Sequence, residues 1–204
     1  MQFKLGQNII DLIRRKRKFS DFINKNEVYA FKVYFYNYFV AYIPSFVIRR
    51  KYLSKIGVQM GNRAFTHLGT HFYPTGGGKQ NSIYIGEGSV IGRDAVLMGN
   101  ITIGRNCSIT AESYIQTSSH KNNSPTFEDC DCELVIGDYV WMGIRTIIVP
   151  GVTNIGNGVI IGANSTVTKN INDYKIVAGS PAKEIGIRDK EACVYELNYQ
   201  PRWN

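Results

Sequence analysis

His67, His71 and His120 are the only side chains in this 204-residue sequence whose ordinary pKa lies close to neutrality. Such a group can accept a proton from an alcohol, which at physiological pH is almost wholly protonated. His120 has the context for that work. It ends the run Ile115-Gln-Thr-Ser-Ser-His120 and opens onto Lys121-Asn-Asn-Ser-Pro-Thr-Phe-Glu-Asp-Cys-Asp-Cys132, a long polar excursion of the kind that commonly carries binding function. Ser118 and Ser119 stand beside it, but neither sits in the Gly-x-Ser-x-Gly setting of an activated nucleophile, so a Ser/His/Asp arrangement is the weaker reading.

Metal chemistry finds less support. His67 and His71 are four residues apart, about 13 Å on an extended strand, too far to hold one ion together. Cys130 and Cys132 lack further ligands at zinc spacing, so no metal is expected. Cys107 reads as a small core residue and Cys193 lies near the end; four such cysteines form no disulfide framework and suit a reducing cytoplasm. Pro74-Thr-Gly-Gly-Gly-Lys79 looks superficially like a phosphate loop, yet Gln80 stands where Ser or Thr is needed and no strand–loop–helix unit surrounds it. A corner between coils is expected there.

The elements that must position His120 have a strict beat. Ile85-Gly-Glu-Gly-Ser-Val, Ile91-Gly-Arg-Asp-Ala-Val, Leu97-Met-Gly-Asn-Ile-Thr, Ile103-Gly-Arg-Asn-Cys-Ser, Ile109-Thr-Ala-Glu-Ser-Tyr and Ile115-Gln-Thr-Ser-Ser-His each open on an aliphatic residue. The beat resumes at Ile136, Met142 and Ile148, slips by one at Asn154, and continues at Ile155, Ile161 and Val167. A six-residue period predicts a parallel β-helix, whose short strands bury their apolar side only when coils stack. The opening residue should point inward, a small or β-branched residue four places on should fill a tight interior position, and Gly or Asn should supply the positive φ of each corner. Antiparallel strands would want alternation and wider turn spacing instead.

The net charge of +8 is concentrated in residues 1–55, which hold twelve Lys and Arg against three acids. Arg14-Arg-Lys-Arg-Lys18 reads as part of a basic helix or arm over residues 7–25; nucleic-acid binding would need further module features that are missing. Residues 28–43 are crowded with aromatics, but Lys32, Asn37 and five tyrosines argue against a lipid-embedded helix. Such a helix either packs on the solenoid or a neighbouring subunit, or lies at a membrane surface with the basic flank Arg49-Arg-Lys51. The start Met1-Gln-Phe-Lys lacks an apolar leader, so no secretory signal is expected. The division expected is an N-terminal helical extension over 1–55, a β-helix over 56–183 with a loop at 121–134, and a tail over 184–204.

These blocks, with Val140-Trp-Met-Gly143, Val149-Pro-Gly-Val152, Ile161-Gly-Ala-Asn-Ser165 and Ile176-Val-Ala-Gly-Ser-Pro-Ala-Lys183, resemble the hexapeptide-repeat acyltransferases, and within them the O-acetyltransferases of galactoside, maltose and streptogramin type and relatives in exopolysaccharide and capsule clusters. The resemblance covers roughly residues 44–183. It implies a left-handed parallel β-helix, a homotrimer with sites between subunits, acetyl-CoA as donor, a saccharide hydroxyl as acceptor and His120 as the general base, in the cytoplasm or at the inner membrane face. It further implies that Trp141 flanks the substrates and that Gly162, Ala163, Thr168, Lys169 and Lys183 line the CoA groove, the small pair beside the pantetheine arm and the lysines at the phosphates. Ile144 and Gly186 depart from the galactoside-type pattern, and that group's acceptor-binding residues have no counterpart here. An amino-sugar N-acetyltransferase, a zinc hydratase like the γ-type carbonic anhydrases and a non-catalytic solenoid are the competing readings.

Overall fold

The computed structural model describes residues 25–75, 82–121 and 123–198. The basic cluster at 14–18 and the glycine run at 76–79 lie outside them. Three parallel faces wrap around one apolar interior. The first face is β1 (Val58–Met60), β4 (Ile83–Ile85), β7 (Asn100–Ile103), β12 (Glu133–Ile136) and β15 (Asn154–Ile155). The second is β2 (Phe65–Thr66), β5 (Val90–Ile91), β8 (Ser108–Ile109), β13 (Trp141–Met142), β16 (Ile160–Ile161) and β18 (Lys175–Ala178). The third is β3 (His71–Tyr73), β6 (Val96–Met98), β9 (Tyr114–Gln116), β14 (Ile147–Ile148) and β17 (Thr166–Val167).

Register confirms the period. Ile83 pairs with Ile101 and Ile91 with Ile109, three blocks per coil, while Ile136 pairs with Ile155 and so absorbs the slip at Asn154. Each opening residue from Ile85 to Val167 points inward and is buried, as are Ser89, Ala95, Cys107, Ser113, Val140, Thr146 and Ser165 four places on. Burial at that interior position pushes the Cys107 thiol up to about 12, which leaves it inert.

The corners differ from expectation in which residues they use. Positive φ falls at the fourth place of most blocks, where Arg63, Asp94, Glu112, Tyr139 and Arg145 adopt it alongside Asn106, Asn164, Gly88 and Gly158; in the Leu97 block it falls at the third place, Gly99. All but Arg63, which lies in the first coil, are held by an inter-coil bond from their own amide, as from Glu112 N to Arg93 O at 2.9 Å and from Arg145 N to Ala111 O at 3.0 Å, which offsets a conformational cost of about 1–2 kcal/mol. The glycine at the second place answers a different demand. A Cβ on Gly143 would sit 2.5 Å from Ala163 N, so glycine is there because successive coils approach too closely for a side chain.

At the N-terminal end, α1 (Lys25–Tyr38) and α2 (Phe46–Leu53) cover the open mouth of the first coil. Val33, Tyr36, Val40, Leu53 and Ile56 join the core. The buried Asn37 amide donates to Phe72 O and accepts from Phe72 N, each at 2.9 Å, and thereby continues the ladder of β3. The basic flank is spent differently from the membrane reading. Buried Arg49 donates to Ile43 O at 2.6 Å and Thr66 O at 2.8 Å, and Arg50 donates to the carbonyls of Met60 and Gly61, so both satisfy backbone acceptors that the first coil leaves open. At the far end β19 (Lys183–Ile187) turns back antiparallel on β18, so a boundary drawn at 183 falls at the start of a strand.

Candidate active site

His120 lies where the chain leaves the prism at the edge between the third and first faces. The excursion is an antiparallel ribbon, β10 (Ser118–His120) against β11 (Asp129–Asp131), with His120 directly opposite Asp129. Thr117 roots it: its hydroxyl accepts from Asn100 N at 3.0 Å, and its carbonyl accepts from Cys132 N at 3.3 Å. Further out, Lys121 N donates to Glu128 O at 2.9 Å, and the two side chains form an ion pair of the same length.

Two neighbours fix the imidazole. His120 Nδ1 lies 3.1 Å from Asp129 Oδ1, and the Phe127 ring stacks on the imidazole with centroids 4.5 Å apart and 17° between planes. Phe127 reaches that position with φ of 46°, a left-handed conformation that costs about 1–3 kcal/mol in a residue of this size. Among the described residues, no hydrogen bond reaches Nε2, the ring nitrogen away from Asp129. The side chain is 48% exposed and faces an open cleft of about 510 Å³ lined by Thr75, Gln116, Ser118, Asp131 and Pro150 together with the His120–Asp129 pair. An imidazole at the lip of a polar cleft, beside a carboxylate, suits proton removal from a hydroxyl.

The other site residues sort by edge. Thr168 and Lys169 follow β17, on the same edge as His120 and one coil beyond Pro150. Trp141 stands half exposed on the second face, and Gly162 and Ala163 form the next edge over Gly143. Lys183 is exposed, opposite Ala178 at the end of that face. One chain therefore does not bring Trp141, Gly162, Ala163 and Lys183 to His120; they occupy a different edge of the prism.

Sequence reasoning missed Asp129 and Phe127. The resumption of the beat at Ile136 requires the excursion to return to its root, but it does not set which residue comes across from His120. The reading of His67 and His71 also changes: a turn through Gly69 at φ 70° separates them, so the extended-strand distance does not apply. His67 packs on Phe65, while His71 Nε2 meets the Tyr42 hydroxyl at 3.2 Å. Among the described residues, no three His, Cys, Asp or Glu side chains are grouped as metal ligands would be.

Residues 82–117 match the family model described as bacterial transferase hexapeptide (six repeats). The chain is similar to the putative colanic acid biosynthesis acetyltransferase WcaF of Escherichia coli K12, 36% identical over 100 residues, covering 48% of this chain and 54% of that protein. It is also similar to the putative lipopolysaccharide biosynthesis O-acetyl transferase WbbJ of the same organism, 35% identical over 111 residues, covering 48% and 55%. The chain thus spans about half the length of these curated relatives. A hexapeptide-repeat containing acetyltransferase from Vibrio cholerae superposes with a TM-score of 0.67 at 23% identity, covering 81% of this chain and 92% of that one. Its structure complexed with acetyl coenzyme A gives 0.62 at 22%, covering 81% and 88%. At that identity the likeness carries the fold.

Proposed function

We propose, from the bacterial transferase hexapeptide repeat that this chain carries, that it is a CoA-dependent O-acetyltransferase acting on a saccharide hydroxyl in the assembly of surface polysaccharide, with His120 as general base. The observation behind this reading is the imidazole itself: it lines a largely polar cleft, half exposed, with Nδ1 3.1 Å from the Asp129 carboxylate. The names of the WcaF and WbbJ relatives support acetyl transfer in polysaccharide assembly, and the second supports oxygen as the acceptor atom.

Acetyl-CoA would supply an acetyl group already activated as a thioester. The exposed edge at Gly162 and Ala163 offers a strip almost free of side chains for a narrow pantetheine arm, and Lys169 and Lys183 are exposed cations suited to phosphates. His120 Nε2 takes the acceptor proton as the hydroxyl oxygen attacks the thioester carbonyl. Asp129 holds the imidazolium that forms, and backbone amides at coil edges serve the growing negative charge on the carbonyl oxygen. Collapse breaks the carbon–sulfur bond, and the departing thiolate recovers the proton from His120. Because His120 and the Gly162–Ala163 strip lie on different edges, the complete site forms between copies, as in a homotrimer of left-handed coils with residues 56–183 as its body. The same reading places the enzyme in the cytoplasm.

Purified protein with acetyl-CoA and a panel of sugars should release free thiol and yield a base-labile acetyl ester. His120→Ala should lower turnover at least about a hundredfold with the melting temperature unchanged. An alkali-stable amide product would transfer the reading to amino sugars, and full turnover by the His120 variant would end it.

A further inference from the structure

The face of α1 turned away from the prism is an uncovered aromatic ridge. Phe31, Phe35 and Phe39 stack in succession at centroid separations of 6.1 and 5.3 Å, and Tyr34 stacks on Tyr38 at 5.2 Å beside them. Phe31 is 69% and Phe39 65% exposed, and Val47 and Ile48 on α2 extend the apolar surface. Ala30 and the five rings line a shallow apolar depression of about 600 Å³. Core formation does not require this surface, because Val33, Tyr36, Asn37 and Val40 already seat the helix from its other side.

The charge around the ridge identifies what covers it. Arg49 and Arg50 are consumed in capping the first coil, but Lys25, Lys32, Lys51 and Lys55 are exposed, and the single acid among residues 25–55 is Glu27. The sequence adds five consecutive cations at 14–18, seven residues before the helix begins. Interfaces between protein copies are depleted in lysine. Aromatic rings that enter the headgroup layer, flanked by lysines that meet lipid phosphates, instead describe a helix lying on a bilayer. At 14 residues α1 is about 21 Å long, short of the roughly 30 Å hydrocarbon core, and no described helix is long and apolar enough to cross.

We propose that the α1 ridge docks this protein on the surface of an anionic phospholipid bilayer. The ridge also adjoins the candidate cleft: Tyr38 lies against His71 of β3, with ring centroids 6.3 Å apart, and Thr75, two residues beyond the end of that strand, lines the cleft. Docking would therefore hold the His120 edge close to the headgroups.

Co-sedimentation of the full chain with vesicles tests this independently of any transferase activity. Binding is expected to vesicles of equal parts phosphatidylcholine and phosphatidylglycerol, weakly or not at all to phosphatidylcholine alone, and to decline as salt is raised. The triple variant Phe31→Ser, Tyr34→Ser, Phe39→Ser removes exposed rings only, so it should fold and melt as the parent does while binding at least tenfold more weakly. Lys32→Glu with Lys51→Glu should weaken binding to the anionic vesicles alone. Absence of vesicle binding by the parent would overturn the proposal. So would full binding by the triple variant, or a smaller oligomer in that variant with vesicle binding intact, which would assign the ridge to a neighbouring copy.

Discussion

Along the prism, every coil rests on another, and an inward side chain such as Ile103 is covered by residues of the coils before and after it. On the ribbon that carries His120 every residue of β11 is exposed, and the pairing is held by backbone bonds, the Lys121–Glu128 ion pair, the His120–Asp129 contact and one ring stack. The contrast separates two tasks. Close-packed coils fix the root of the excursion at Thr117 to within a hydrogen bond, and the ribbon presents its chemistry from that root without contributing to the core. Damage to the prism should therefore appear in stability, and damage to the ribbon in turnover.

The largest effect should come from the prism. Ile103→Ala leaves a cavity that neighbouring coils cannot close, at a cost of about 2–5 kcal/mol in denaturant unfolding. A milder loss would show that the coils relax, which would weaken the contrast. Asp129→Asn tests the ribbon, with an expected drop in turnover of about tenfold, modest because the carboxylate is 87% exposed, and no change in unfolding. An amide cannot neutralise the imidazolium that forms during transfer, so turnover equal to the parent's would reduce Asp129 to a structural role.

The smallest effect concerns the first coil. Burial lowers the His71 pKa from its ordinary value, with Asp94 partly opposing. In the window below the unfolded value near 6.5 the unfolded chain binds more protons than the folded one, so stability falls as pH is lowered through it and is complete above it. His71→Gln should flatten the dependence of melting temperature on pH between mild acid and neutrality. An equally steep dependence in that variant would place the acid sensitivity elsewhere.

The interior was legible because a six-residue period constrains one residue in every block, and burial followed at Ile85, Ile91, Ile109 and Ile161 alike. Corner chemistry was legible only in part. Sequence assigned Gly or Asn to the corners for positive φ alone, whereas the structure gives the second-place glycine to close approach and most positive φ to the fourth place, where an inter-coil amide bond lets Tyr139 or Arg145 serve. The exposed ribbon escaped reading because its pairing depends on the return of the chain to its root, and residues 123–131 carry no alternation that marks a strand. Arg49 and Arg50 were misleading for a related reason: a basic pair in sequence does not reveal whether it faces lipid or the unpaired carbonyls of a first coil.

A stack of identical rungs has no intrinsic reason to stop, and a bare terminal rung would template another molecule's strands into an endless fibre. The Asn37 amide occupies the terminal rung on one face with a side chain in place of a strand, and the reversed strand β19 offers the wrong polarity at the opposite end. One face is thus closed to a further parallel strand at each limit, which opposes growth of the stack by addition of another molecule.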